Sequence, residues 1–141
     1  ILAGDTWDSN VITEAAQGKD NINLYVTTFY QEGGNAEFDA AFKEWINSDS
    51  ANLTNNNGND MIAAVSVMGY DAYYVALEAL KAAGSTNPAD VMTALWDVTY
   101  DGITGHIAFD DENGDAVRDL AYVKHCNTET GAWDLVGEQG V

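Results

Sequence analysis

At 141 residues, with 46% hydrophobic side chains and four tryptophans, the chain is long and apolar enough to bury a core, which argues against a disordered polypeptide. Its 23 acidic residues against five basic ones give a formal net charge of -18, a surface that repels nucleic acid and anionic lipid headgroups. A single cysteine, Cys126, excludes an intrachain disulfide and any metal cluster built on CxxC pairs.

The chain opens on Ile1-Leu2-Ala3-Gly4, which reads as a short buried strand with a cut edge, followed by the loop Asp5-Thr6-Trp7-Asp8-Ser9. Ser9 or Asp8 is placed to cap a helix running to about Gln17, with Val11, Ile12, Ala15 and Ala16 inward. Ile22 to Thr28, rich in β-branched and aromatic residues, reads as a second strand. After a loop through Gly33-Gly34, Ala36 to Asn47 has the pattern of an amphipathic helix, with Phe38, Phe42, Trp45 and Ile46 on its apolar face. Ser48 to Asp60, with its asparagine run, is expected to be the least structured segment.

The central stretch, Gly69 to Gly84, reads as a long helix whose period extends back towards Met61. Tyr70, Tyr73, Tyr74, Leu77 and Leu80 share one side and alanines the other, so the helix is expected to lie buried between layers. Gly84 suits a left-handed cap; Asn87 and Pro88 suit the N-cap and first position of the next helix, with Asp90 bonding back to that cap and Val91, Ala94, Leu95 and Val98 inward. Beyond Thr99 the texture is β: Ile107 to Phe109, Ala121 to Lys124 and Gly131 to Val136 are expected strands. The order βα, βα, αα, βββ indicates an α/β, doubly wound fold of uneven make-up.

Asp5 directly follows the first strand, and in open α/β sheets ligands bind outside the carboxyl ends of strands. Its carboxylate suits an ammonium group, with Trp7 as an apolar wall; loop stabilisation or helix capping is the plainer alternative. Asp111, Asn113 and Asp115 match the first three ligands of an EF-hand loop, but Ala116 and Tyr122 stand where glycine and a bidentate glutamate are needed, so Asn113-Gly114 reads as a hairpin turn and no metal site is assigned. His125 and Cys126, adjacent on a strand, point to opposite faces and cannot share a proton. His106 is isolated, and no hydrolase, metalloprotease or nucleotide-binding motif occurs, so no catalytic residue is named and no enzyme is expected.

Several stretches in order resemble the type I periplasmic binding proteins, specifically the carboxyl-terminal part of the branched-chain amino-acid binding family of ABC importers. They are Leu2 to Trp7, Leu24 to Thr28, Gly69 to Ala72, Ala79 to Pro88, Tyr100 to Asp110 and Glu112 to Asp115. The resemblance covers nearly the whole chain. It implies two α/β lobes that close on a ligand about a hinge, with no cofactor. By this resemblance Asp5 holds the ligand's ammonium, Thr6 and Trp7 line the same loop, Val65 touches the ligand side chain, and Thr27, Thr28, Phe29 and Tyr30 form a hinge. Residues 1–28 then belong to the carboxyl-terminal lobe, 29–110 to helices of the amino-terminal lobe, and 111–141 to a β-rich return segment. The amino-terminal part of the family sequence has no counterpart here, so the strands read as a fragment of two lobes, and self-association, element swapping or an origin as a proteolytic piece is expected. The implied partners are a small amino acid and a membrane permease. The implied location is the extracellular face or periplasm, with a lipoprotein tether. The alternative is the ligand-sensing extracellular domain of a signalling receptor of the same fold.

Overall fold

A computed structural model describes residues 1–140; Val141, the last residue of the expected 111–141 return segment, lies outside them. Two sheets and five α-helices make up the described chain. The first sheet has the order β1-β2-β6-β7, from β1 (Leu2–Ala3), β2 (Tyr25–Thr28), β6 (Leu120–Asn127) and β7 (Ala132–Gly140). β1 and β2 run parallel, joined by the crossover helix α1 (Asn10–Ala16), while β2–β6 and β6–β7 are antiparallel. Alternation along these strands is strict where they face the core: Val26 and Thr28 are buried with Thr27 exposed between them, and Lys124 and Cys126 flank the outward His125. The expected strand from Ile22 starts three residues later, yet Leu24 remains in the core beside Ala16 and Cys126. Val11, expected inward on α1, is exposed, and Thr13 takes the buried position.

The chain leaves this sheet after Thr28 and returns to it at Leu120. Between them lie α2 (Ala36–Asn47), α3 (Ser50–Asn55), α4 (Ala64–Ala83) and α5 (Pro88–Leu95), then the antiparallel sheet β3 (Tyr100–Gly102), β4 (Gly105–Phe109) and β5 (Ala116–Val117). The late strands are therefore divided between two sheets rather than forming one run. Gly114, at φ 76°, turns the β4–β5 connection, where the Asp110 and Asn113 side chains accept from backbone amides.

Several expectations are corrected by local chemistry. The segment from Ser48 to Asp60 is not unstructured: Asp49 caps α3 by accepting from the Ala51 N–H at 2.8 Å, and Asn56 Nδ2 donates to the carbonyls of Asn59 and Met61, each at 2.9 Å. That asparagine bracket ties down Met61, so α4 starts at Ala64 rather than near Met61. The inward stripe of α4 is Ala64, Val67, Asp71, Val75 and Ala79, not the tyrosines. Small residues there let Tyr30, Phe38 and Ile62 pack at one end and Val98 and Ile107 at the other. Tyr73 is 65% exposed, and Tyr70 and Tyr74 lie tilted against each other along the flank, Tyr74 parallel to Tyr100 at 6.0 Å. The described elements thus cover α4 on one side and leave the other open, against the expected burial between layers. Trp45, expected on the apolar face of α2, is also exposed, and Ile46 is the buried neighbour.

Gly84 ends α4 in the left-handed conformation, and Asn87 caps α5 ahead of Pro88, as expected. Asp90 instead accepts from the Ser85 hydroxyl at 2.8 Å. On α5, Val91 and Leu95 are only half-buried, whereas Val98, beyond the helix, enters the core.

Candidate functional site

The loop after β1 is compact. Gly4 is extended, Asp5–Trp7 forms a single 3-10 turn, and Ser9 Oγ caps α1 by accepting from the Val11 N–H at 3.2 Å. Asp5, Thr6 and Trp7 therefore project from one turn at the carboxyl end of β1. Asp5 is half-buried, and among the described residues its carboxylate takes part in no side-chain hydrogen bond or ion pair, while Thr6 and Trp7 are exposed. Val65 is exposed in the first turn of α4, and that helix approaches the 3-10 turn.

What holds the two together is Asp8, which sequence reasoning weighed only as a possible cap. Its side chain is fully buried, and it accepts from Lys124 Nζ at 2.9 and 3.1 Å, from Thr28 Oγ1 at 3.0 Å and from the Ala64 N–H at 3.3 Å. One carboxylate thus joins the loop after β1, the end of β2, the middle of β6 and the start of α4. No sequence signal pairs Asp8 with Lys124, which lies 116 residues away. A buried ammonium in a strand otherwise facing the core was the available hint.

The residues expected as a hinge divide by environment. Thr28 is buried at the end of β2 and bonds to Asp8, whereas Tyr30 is packed among Phe38, Ile62, Ala64 and Val67. Between them Phe29 lies under the Arg118 guanidinium, 5.1 Å from ring centroid to Cζ. Arg118 stands between β5 and β6, so the outgoing and returning connections between the sheets touch at this pair. Burial lowers the Arg118 pKa, while the charges of Asp71 and Asp119 oppose that shift. Its Nη1 donates to Thr104 Oγ1 at 2.9 Å.

The two largest cavities described among residues 1–140 lie away from Asp5. One of about 540 Å³ is walled by Phe38, Phe42, Trp45, Tyr70 and Ile103; the other, of about 510 Å³, is polar and runs from Asp8 and Lys124 to Glu14, Glu32 and Lys43. Asp5, Thr6, Trp7 and Val65 line neither. His125 and Cys126 diverge as expected: Cys126 is buried, and His125 reaches Asn23 Oδ1 at 3.1 Å on the opposite face.

A family model described as "Periplasmic binding protein" matches residues 1–130. The chain belongs to that family. Across 99% of its length it superposes on a leucine binding protein, LivK, from Thermotoga maritima, with a TM-score of 0.72 at 28% identity. A solute binding protein of an ABC transporter from R. palustris, solved with benzoate, matches over 91% of this chain with a TM-score of 0.61 at 18% identity, which shows the fold alone. Metabotropic glutamate receptor-like protein E of Dictyostelium discoideum is 34% identical over 90 residues, 60% of this chain. The chain spans 37% and 33% of the two solved chains and 11% of the receptor-like relative. The mixed α/β architecture of this family member is that of the type I binding proteins over part of their length. Among its described residues no helix is long and apolar enough to cross a membrane.

Proposed function

We propose that this chain is the carboxyl-terminal portion of an extracellular or periplasmic solute-binding protein that takes an amino acid, branched-chain in the first instance, between two lobes. Asp5 carries the reading: it is a half-buried carboxylate without a side-chain partner among the described residues, at the carboxyl end of a strand, on a turn pinned beside the start of α4. It would receive the ligand's ammonium, with Thr6 and Trp7 on the same turn and Val65 facing the ligand side chain. In this reading the first sheet with α1 belongs to one lobe and the intervening helices and second sheet to the other. Thr27 to Tyr30 then serve as a hinge. The similarity to a leucine binding protein supports the ligand class. The protein would bind and deliver its ligand to a membrane permease without transforming it, tethered as a lipoprotein. The open flank of α4 would favour self-association of this portion alone; light scattering that finds a stable monomer counts against that part.

The test is calorimetry on the full-length protein with leucine, isoleucine, valine and other amino acids, with Asp5→Asn alongside. Removing a charge-assisted partner should weaken binding by about 10- to 100-fold. Equal affinity of the variant would refute the assignment of the ammonium to Asp5. A second reading, a ligand-sensing receptor domain, is favoured by the receptor-like relative. A signalling domain in the same polypeptide, rather than a permease and ATPase encoded beside it, would decide for it.

A further inference from the structure

Helix α4 has an N-terminus that its own sequence leaves uncapped: Ala63, at the N-cap, has no side chain that can accept a hydrogen bond. The acceptor comes from 56 residues away. Asp8 Oδ2 takes the Ala64 N–H at 3.3 Å, and a carboxylate at a helix N-terminus is also favoured by the helix dipole. The other three contacts of Asp8, to Lys124 and Thr28, are shorter, at 2.9 to 3.1 Å, and all come from the first sheet. The carboxylate is therefore anchored on the sheet, and its longest bond is the one that reaches the helix.

We infer that Asp8 is a latch: seated on Lys124 and Thr28, it caps α4 from the neighbouring layer and so sets the position of the Asp5–Trp7 turn relative to Val65. Asp8 is a positioning residue. It is buried and accepts four hydrogen bonds, all from this chain, and acts through the turn and the helix that it joins; the ligand-binding consequence rests on the function proposed above, whereas the latch itself does not. Engaged, it holds the two sides of the candidate site together; disengaged, it leaves the sheet-side ion pair intact and frees the helix.

Ala64→Pro removes this donor and sets its ring Cδ where the amide hydrogen stood, against Asp8 Oδ2, so it forces the latch open rather than deleting one bond. Proline suits the first helical position, which needs no intrahelical N–H, and Ala63 at φ -76°, ψ 144° already has the conformation that precedes proline. The full-length protein would carry spin labels at Glu129→Cys, in the turn between β6 and β7, and Thr86→Cys, at the corner after α4; Cys126 is buried and stays unlabelled. Without ligand, Ala64→Pro should broaden or lengthen the distance distribution relative to its parent, and titration with leucine should show affinity lower by about tenfold, as expected when the competent arrangement is one state among several. An unchanged distribution overturns the latch. A changed distribution with unchanged leucine affinity overturns its positioning role. If the parent binds no amino acid but the distribution changes, the proposed function falls and the latch stands.

Discussion

Gly102 lies directly against the carboxylate of Asp71, so closely that a methyl group on its Cα would sit 2.5 Å from the Asp71 Cγ and Oδ2. The carboxylate cannot yield, because it is fully buried and accepts from the Ile103 N–H at 2.9 Å, the Thr104 N–H at 2.8 Å and the Thr104 hydroxyl at 2.6 Å. Gly102→Ala should therefore destabilise the fold by about 1–3 kcal/mol, the usual range for overpacking a rigid site. Chemical denaturation would show this as a lower midpoint at unchanged slope.

Asp71 itself ties α4 to the turn between β3 and β4. In Asp71→Asn the amide NH2 must face at least one of three donors, leaving a buried N–H unpaired at a cost of about 1–3 kcal/mol. Hydrogen exchange should quicken at Ile103 and Thr104 in particular. Equal protection of both amides in variant and parent would contradict the role given to this carboxylate.

Lys124→Met should be far more damaging than its place on a strand suggests. It leaves the Asp8 charge buried with only Thr28 and Ala64 for partners, a loss of about 3–5 kcal/mol, comparable with the whole stability of a small domain. Asp8→Val combined with Lys124→Met removes both charges and should recover part of the loss. The coupling is read from a double-mutant cycle by denaturation, and additive losses would contradict the pairing.

How far the sequence could be read follows from which forces are local. Caps and turns were legible because their chemistry lies within a few residues: Asn87, Pro88, Gly84 and Gly114 all sit where their residue types favour them. The family resemblance was legible for the same reason. The inward stripe of α4 was not, since the tyrosines outweigh Ala64, Val67 and Ala79 on any hydrophobic count, and only the packing of distant residues, Tyr30 and Phe38 at one end and Val98 and Ile107 at the other, explains why small residues face inward. Asp8 and Asp71 were invisible as buried anchors because their donors lie 20 to 116 and about 32 residues away. The asparagine run misled in the other direction: composition suggested a loose segment, whereas Asn56 uses its amide to close one.

Cys126 should be nearly inert in the native protein. It is wholly buried beside Leu24 and Ala16, and burial, with a smaller contribution from the charge of Asp134, raises its thiol pKa, so little thiolate exists near neutrality. A thiol reagent should label it slowly in native buffer and rapidly in denaturant. Fast native labelling would mean that β6 opens readily at this position.

Alkaline pH should destabilise this fold through its tyrosines. The Tyr30 phenol is raised well above its ordinary value of 10.0 by burial, and further by its 2.5 Å hydrogen bond to Asp39 and that group's negative charge. Tyr70, on the exposed flank, is pushed up to about 12, first by its hydrogen bond with Tyr74 and then by burial, but solvent screening reduces its weight. A phenol whose pKa is higher folded than unfolded keeps its proton longer in the native state, so above the unfolded value the unfolded chain binds fewer protons. The stabilisation is thus complete below pH 10.0 and is lost progressively above it, as the pH approaches the raised folded values. Denaturation midpoints measured upward from neutrality should be flat in this respect until about pH 10 and then fall. Tyr30→Phe should lower stability at neutral pH, because Asp39 loses its donor, yet show a shallower alkaline decline. An identical alkaline slope in both proteins would show that Tyr30 is not the group responsible.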